Sequence, residues 1–192
     1  MTTKVPNELL EIGVLADATN FTDSILISQN ASTGTLSSAS DNTGLGDSVF
    51  AALTSGDQNT AIGSDALDAL TTGSRNTAIG FGSLTANTTA GNNTAIGDGS
   101  LNANTTGANN TSVGLGSLEA NTTASNNTSV GYLSLLSNTT GDQNTAVGGI
   151  STDANTTGIR LTAIGFESLT ANTTGNNNTA LGHTALAANT TG

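Results

Sequence analysis

The sequence predicts an all-β fold, a parallel β-solenoid or β-roll of nine tandem 17-residue repeats, on three observations. The motif Asn-Thr-Ala-Ile-Gly begins at Asn59, Asn76 and Asn93, with close variants at Asn42, Asn110, Asn127, Asn144, Leu161 and Asn178. The step between copies never changes, and there is no insertion or deletion. Only 9% of residues are charged and 3% aromatic, while Gly, Asn, Thr, Ser and Ala dominate. Such a composition suits either disorder or a repetitive β architecture, and strict register selects the second.

Taken in order, residues 1–23 stand outside the period and carry the single Pro, Pro6, and the single Lys, Lys4. A short helical turn is expected over 6–11, and 1–23 reads as a segment for attachment to a larger particle. Residues 24–41 read as a degenerate capping repeat, with a strand at Ser24-Ile25-Leu26-Ile27-Ser28 and turn-rich residues after it. Solenoids need such atypical ends to cover their edges. Residues 42–192 are the nine repeats, and positions below are counted from the residue that opens each motif.

Positions two to four, Thr-Ala-Ile in the type unit, are expected to form one strand, because β-branched residues suit strands. Position five is glycine in every copy: Gly46, Gly63, Gly80, Gly97, Gly114, Gly131, Gly148, Gly165 and Gly182. It is expected to end the strand where φ turns positive or the neighbouring coil comes close. A second strand is expected at positions eight and nine, Ser-Leu. Asn-Thr-Thr-Gly at positions 12–15, as in 104–107, reads as a turn that Asn closes by tolerating the left-handed region. No stretch carries the helical period.

Two positions supply the candidate core. Position four is aliphatic throughout: Leu45, Ile62, Ile79, Ile96, Val113, Val130, Val147, Ile164 and Leu181. Position nine is leucine at Leu67, Leu84, Leu101, Leu118, Leu135, Leu169 and Leu186, with Phe50 and Thr152 as exceptions. Two large apolar side chains per coil weigh little against the entropy of ordering it. Sharing the aliphatic face among several chains, most simply three, is therefore expected.

The net charge of −11, with Lys4, Arg75 and Arg160 as the only cations, argues against nucleic acid and anionic membranes as partners. There is no cysteine, hence no disulfide or thiolate metal site. The opening residues lack a signal-peptide pattern, and no apolar run approaches the ~20 residues of a membrane span.

Each candidate site has a plainer reading beside it. Position six varies most: Asp47, Ser64, Phe81, Asp98, Leu115, Tyr132, Gly149, Phe166 and His183. Phe81, Tyr132 and Phe166 could form an adhesive row whose rings stack on sugars, although scattered exposed apolar residues are normal. His183, the single histidine, has no acidic partner fixed in sequence. Asp65 and Asp68 resemble a glycosidase pair but occupy variable positions. No calcium loop or metal-ligand spacing appears. The reading is a non-enzyme with no cofactor and no metal. The Asn-Thr-Thr triplets at Asn87, Asn104, Asn121, Asn138, Asn155, Asn172 and Asn189 match glycosylation sequons but read as turns. Their Thr ladder suggests either ice binding or hydrogen bonding between stacked turns.

Asn92-Asn93-Thr94-Ala95-Ile96-Gly97 resembles the head repeats of trimeric autotransporter adhesins, whose motif reads Asn-Ser-Val-Ala-Ile-Gly. The resemblance implies a trimer of left-handed parallel β-rolls with Ile96 and its equivalents pointing inward. Thr94 stands where that family has valine, and the unit is longer in the Asn-Thr-Thr-Gly turn. A closer resemblance is to repetitive phage tail-fibre and other virion fibre proteins. It is carried by the Asn-Asn-Thr-Ala-Ile-Gly repeats, by Lys4-Val5-Pro6-Asn7-Glu8-Leu9-Leu10, and by Thr33-Gly34-Thr35-Leu36-Ser37-Ser38. It implies a homotrimeric shaft or adhesion segment of a virion appendage, joined to a tail or capsid protein through 1–23 and meeting a host-surface glycan or protein. The alternative is a fragment of a bacterial cell-surface adhesin.

Overall fold

A computed structural model describes residues 13–18, 21–28 and 37–192. The helical turn expected over 6–11 lies outside the described residues. The chain opens with β1 (Gly13–Ala18), β2 (Phe21–Ser28) and β3 (Ala39–Ser40). One strand per repeat then follows: β4 (Thr43–Leu45), β5 (Thr60–Ile62), β6 (Thr77–Ile79), β7 (Thr94–Ile96), β8 (Thr111–Val113), β9 (Thr128–Val130), β10 (Thr145–Val147), β11 (Thr162–Ile164) and β12 (Thr179–Leu181). From β4 to β12 they pair in chain order, all parallel. Equivalent residues face each other, as in Thr60↔Thr77, Ala61↔Ala78 and Ile62↔Ile79. Each repeat is thus one coil of a parallel β-solenoid, and at the strand spacing of about 4.8 Å nine coils rise roughly 43 Å.

The second strand expected at positions eight and nine does not form. Position seven and position nine both sit in the left-handed region, as at Asp65 (φ 59) and Leu67 (φ 51) or Gly82 (φ 60) and Leu84 (φ 52). An extended ladder cannot pass through two such residues, so this side of the coil is a run of tight turns. The turns remain laddered: Leu84 N–H donates to the Ser100 carbonyl at 3.1 Å and Ala86 N–H to that of Asn102 at 3.0 Å.

The position-four aliphatics are not the core of the coil. In a three-residue strand, side chains alternate between faces, so positions two and four share the outside and position three the inside. Ala61, Ala78, Ala95, Ser112, Ser129, Ala146 and Ala163 are buried at position three. Leu45, Ile62, Ile96, Val147, Ile164 and Leu181 are exposed, Ile62 at 37% and Leu181 at 75%. Ile79, Val113 and Val130 are half-buried. The leucine column of the interior is that of position nine, Leu67, Leu84, Leu101, Leu118, Leu135 and Leu169, each fully buried, with Leu26, Leu53, Leu70 and Leu161 buried at other positions. Leu186, in the last coil, is exposed because no further coil covers it here.

Buried asparagines, with the serines of position eight, fill much of the rest of the interior. Position one forms a ladder in which Asn59 N–H and Nδ2 donate to Asn42 Oδ1, both at 3.0 Å, and Asn76 repeats this on Asn59. The backbone link continues through Asn93, Asn110, Asn127 and Asn144 to the amide of Leu161. A second ladder runs through position twelve, where Asn104 Nδ2 donates to Asn87 Oδ1 at 3.1 Å and to the Gly107 carbonyl at 2.9 Å. The position-twelve asparagines therefore close the turn with their carboxamides. The left-handed residue is instead position 17, as at Asn92 and Asn109. Paired carboxamides let a narrow core bury polar groups with partners, Asn127 Nδ2 being the exception among the ladder asparagines of the described residues.

The first coil is packed differently. Gly44 holds position three there, because a Cβ would come within 2.7 Å of Leu26 Cδ1 and 3.1 Å of Phe50 Cδ2. The missing methyl makes room for the larger Phe50 and for Leu26, which reaches down from β2. That strand pairs in parallel with β4 (Leu26↔Gly44), one residue out of step with the repeat, and also with β3. Its other edge is covered by β1, antiparallel. The boundary at 23/24 falls within β2.

Candidate interaction surface

Three rows run up the outside of the solenoid. The first is the face of the parallel sheet, where the threonines of position two alternate with the aliphatics of position four. Because the register is one-to-one, the position-four side chains stack into a continuous apolar column along the rod. Just beyond it, position five adopts φ between 119 and 145° at every coil. A Cβ on Gly97 would lie 2.4 Å from the Gly114 carbonyl oxygen, so glycine is required by backbone approach as well as by φ.

The second row is position six. Phe81 stands alone between Ser64 and Asp98 and is exposed, whereas Leu115, Tyr132 and Phe166 lie in successive or near-successive coils, 51%, 54% and 47% exposed. Phe166 stacks on His183 with ring centroids 5.8 Å apart and planes 10° from parallel. His183 is therefore a surface ring in an aromatic pair. The residues that sequence reasoning passed over are at position seven, where Leu133 and Ile150 hold left-handed backbone at φ 51 and 54. The signal was present: glycine or a polar residue fills this position in the first five coils, and the switch to Leu and Ile is abrupt.

The third row is the Asn-Thr-Thr turn. The position-thirteen hydroxyls donate to the same position of the next coil, as Thr54 Oγ1 to the Thr71 carbonyl at 2.9 Å and Thr105 to Thr122 at 3.0 Å. The sequon asparagines Asn87, Asn104, Asn121, Asn138, Asn155 and Asn172 are fully buried with their nitrogens bonded, out of reach of a glycosylating enzyme in the folded coil.

Asp65 and Asp68 belong to one turn. Partial burial, and secondarily the charge of Asp65, push the Asp68 carboxyl above its ordinary range. No histidine stands with them in that coil. Among the described residues no cluster of His, Asp or Glu could hold a metal ion, and no helix is long and apolar enough to cross a membrane. What the surface offers chemically is apolar contact and hydrogen bonding. No protein-family model, curated protein or solved structure matches the chain.

Proposed function

We propose that this chain is the structural shaft or adhesion segment of a phage tail fibre or other virion appendage, assembled as a homotrimer and serving attachment to a host surface. The observation that carries the reading is the exposed position-four column. A folded chain seldom leaves a continuous apolar stripe in water unless a partner covers it. This stripe repeats at every coil, so the partner best matched to it has the same period, and another copy of the chain does. Burying the remaining area of each aliphatic stabilises the assembly by on the order of 1 kcal/mol per position. A laddered rod suits mechanical linkage, and the segment 1–23 would supply the joint to the tail or capsid.

The test is the mass of the particle in solution. Sedimentation equilibrium at micromolar concentration should give three chains, and the double variant Ile79→Asp/Ile96→Asp should dissociate them, since neither charge could leave water cheaply. A wild-type chain that sediments as a stable folded monomer would overturn the reading.

A further inference from the structure

Coils five to eight break the surface period at positions six and seven. Before them these positions hold Asp47-Ser48, Ser64-Asp65, Phe81-Gly82 and Asp98-Gly99; then come Leu115-Gly116, Tyr132-Leu133, Gly149-Ile150 and Phe166-Glu167. The backbone fixes their order in space. Leu133 N–H donates to the Leu115 carbonyl at 3.0 Å, Ile150 to Tyr132 at 2.8 Å and Glu167 to Gly149 at 3.1 Å. Five apolar side chains are thereby stacked at about one strand spacing per step, in one patch, with Phe81 an isolated apolar residue lower on the row.

Part of this patch is held against local conformational preference. Ile150 is β-branched and sits at φ 54, where Gly82, Gly99 and Gly116 occupy φ 60 to 63 without strain. A branched side chain in the left-handed region is costly, and glycine already serves the fold at this position. Thr184 is the other branched residue at position seven, at φ 53, and Ile150 is half-buried, so its exposed part extends the patch that Leu115, Tyr132 and Phe166 present.

The rim is acidic. A Cβ on Gly116 would meet Leu133 Cδ2 at 2.6 Å and Glu119 Oε2 at 3.1 Å, so the Glu119 carboxylate lies against the edge of the patch. No hydrogen bond or ion pair engages it among the described residues. Glu119 also lines a shallow groove with Asn102, Leu136 and Ser137. Asp98 stands one coil below Leu115, and Glu167 follows Phe166.

We propose that positions six and seven of coils five to eight form a docking surface for a partner polypeptide presenting aliphatic or aromatic side chains flanked by Arg or Lys. Branched Leu115, Leu133 and Ile150 offer a knobbed surface suited to side chains, where a sugar face needs flat rings. A second copy of this chain is a poor occupant of this patch, because its own row would set Asp98, Glu119 and Glu167 against the same acidic rim. The inference rests on this patch alone and not on the trimer or virion reading.

Tyr132 is the only tyrosine and the chain has no tryptophan, so intrinsic emission reports on the patch itself. A short peptide alternating leucine and arginine should change that emission saturably. Binding should weaken roughly tenfold or more in Ile150→Gly and in Phe166→Ser, as for central contacts of an interface. Ile150→Gly should also melt no lower than wild type, which separates lost binding from lost folding. The proposal is overturned if the peptide fails to saturate, if a leucine–glutamate peptide binds equally, or if both variants bind as wild type. It is equally overturned if neutral oligosaccharides are preferred, or if self-association shields Tyr132 from acrylamide. The sedimentation of position-four variants is a separate readout, so either reading can fail without the other.

Discussion

Thr152 takes the place of the position-nine leucine between Leu135 and Leu169, and it satisfies none of the local requirements. It is β-branched at φ 54, fully buried, and its hydroxyl has no partner among the described residues. An orphaned buried hydroxyl costs about 1–3 kcal/mol. Thr152→Leu should therefore raise stability by about that amount in urea denaturation, the added atoms filling the column. Asp68 gives a prediction with a pH sign. Its carboxyl is shifted up by burial and then by Asp65, so the folded coil favours the proton. Its contribution to stability is complete below the ordinary carboxylate value and is lost as pH rises through the shifted one. Asp68→Asn should raise the melting temperature at neutral pH, and the gain over wild type should fade on acidification. At this scale the sequence is uneven to read. The glycines of position five announce their backbone, because no other residue tolerates it. The leucines of position nine do not, because leucine seldom adopts a positive φ and nothing marks one that must.

A three-residue strand has one inward side chain, and in β5, β6 and β7 it is alanine. That single fact reassigns the aliphatic residues. The motif Thr-Ala-Ile shows its period plainly, but alternation alone does not say which parity faces the interior; the asparagines of positions one and twelve decide it. They are legible as turn formers and not as core, since buried carboxamides are recognisable only once stacking supplies each with the partner one repeat away. The hairpin of β1 and β2 is the other decisive element. It places a long strand over the first coil and an antiparallel neighbour over that strand, which removes a free parallel edge. Leu26 ties the hairpin to Phe50 and Gly44 beneath. Leu26→Ala should cost about 2–5 kcal/mol, and in hydrogen exchange the amides of β4 should lose protection before those of β8. Equal loss along the rod would show that the hairpin is not what holds that end.

The whole molecule is the easiest level to read. A fixed step without a single slip admits one architecture in which equivalent residues meet, and the paired registers from β4 to β12 are that architecture. What the step could not convey is where polarity changes along the rod, because a repeat hides its exceptions. The leucines at position twelve, Leu53 and Leu70, make the interior of the first two coils more apolar, and asparagine takes over at that position from Asn87 onward. Among the described residues each strand from β5 to β11 pairs with one coil on either side and with nothing else. This serial pairing has a mechanical consequence. Under tension the bonds between coils are loaded one layer at a time, and each layer gives way singly. Each coil released lengthens the chain by the contour of one repeat, about 60 Å at full extension, less the small height of the coil. Stretching a single chain between its termini should give a train of nearly equal steps of that size. One rupture of the entire length would mean that the coils share load, and the rod would then be brittle where this structure makes it yield by degrees.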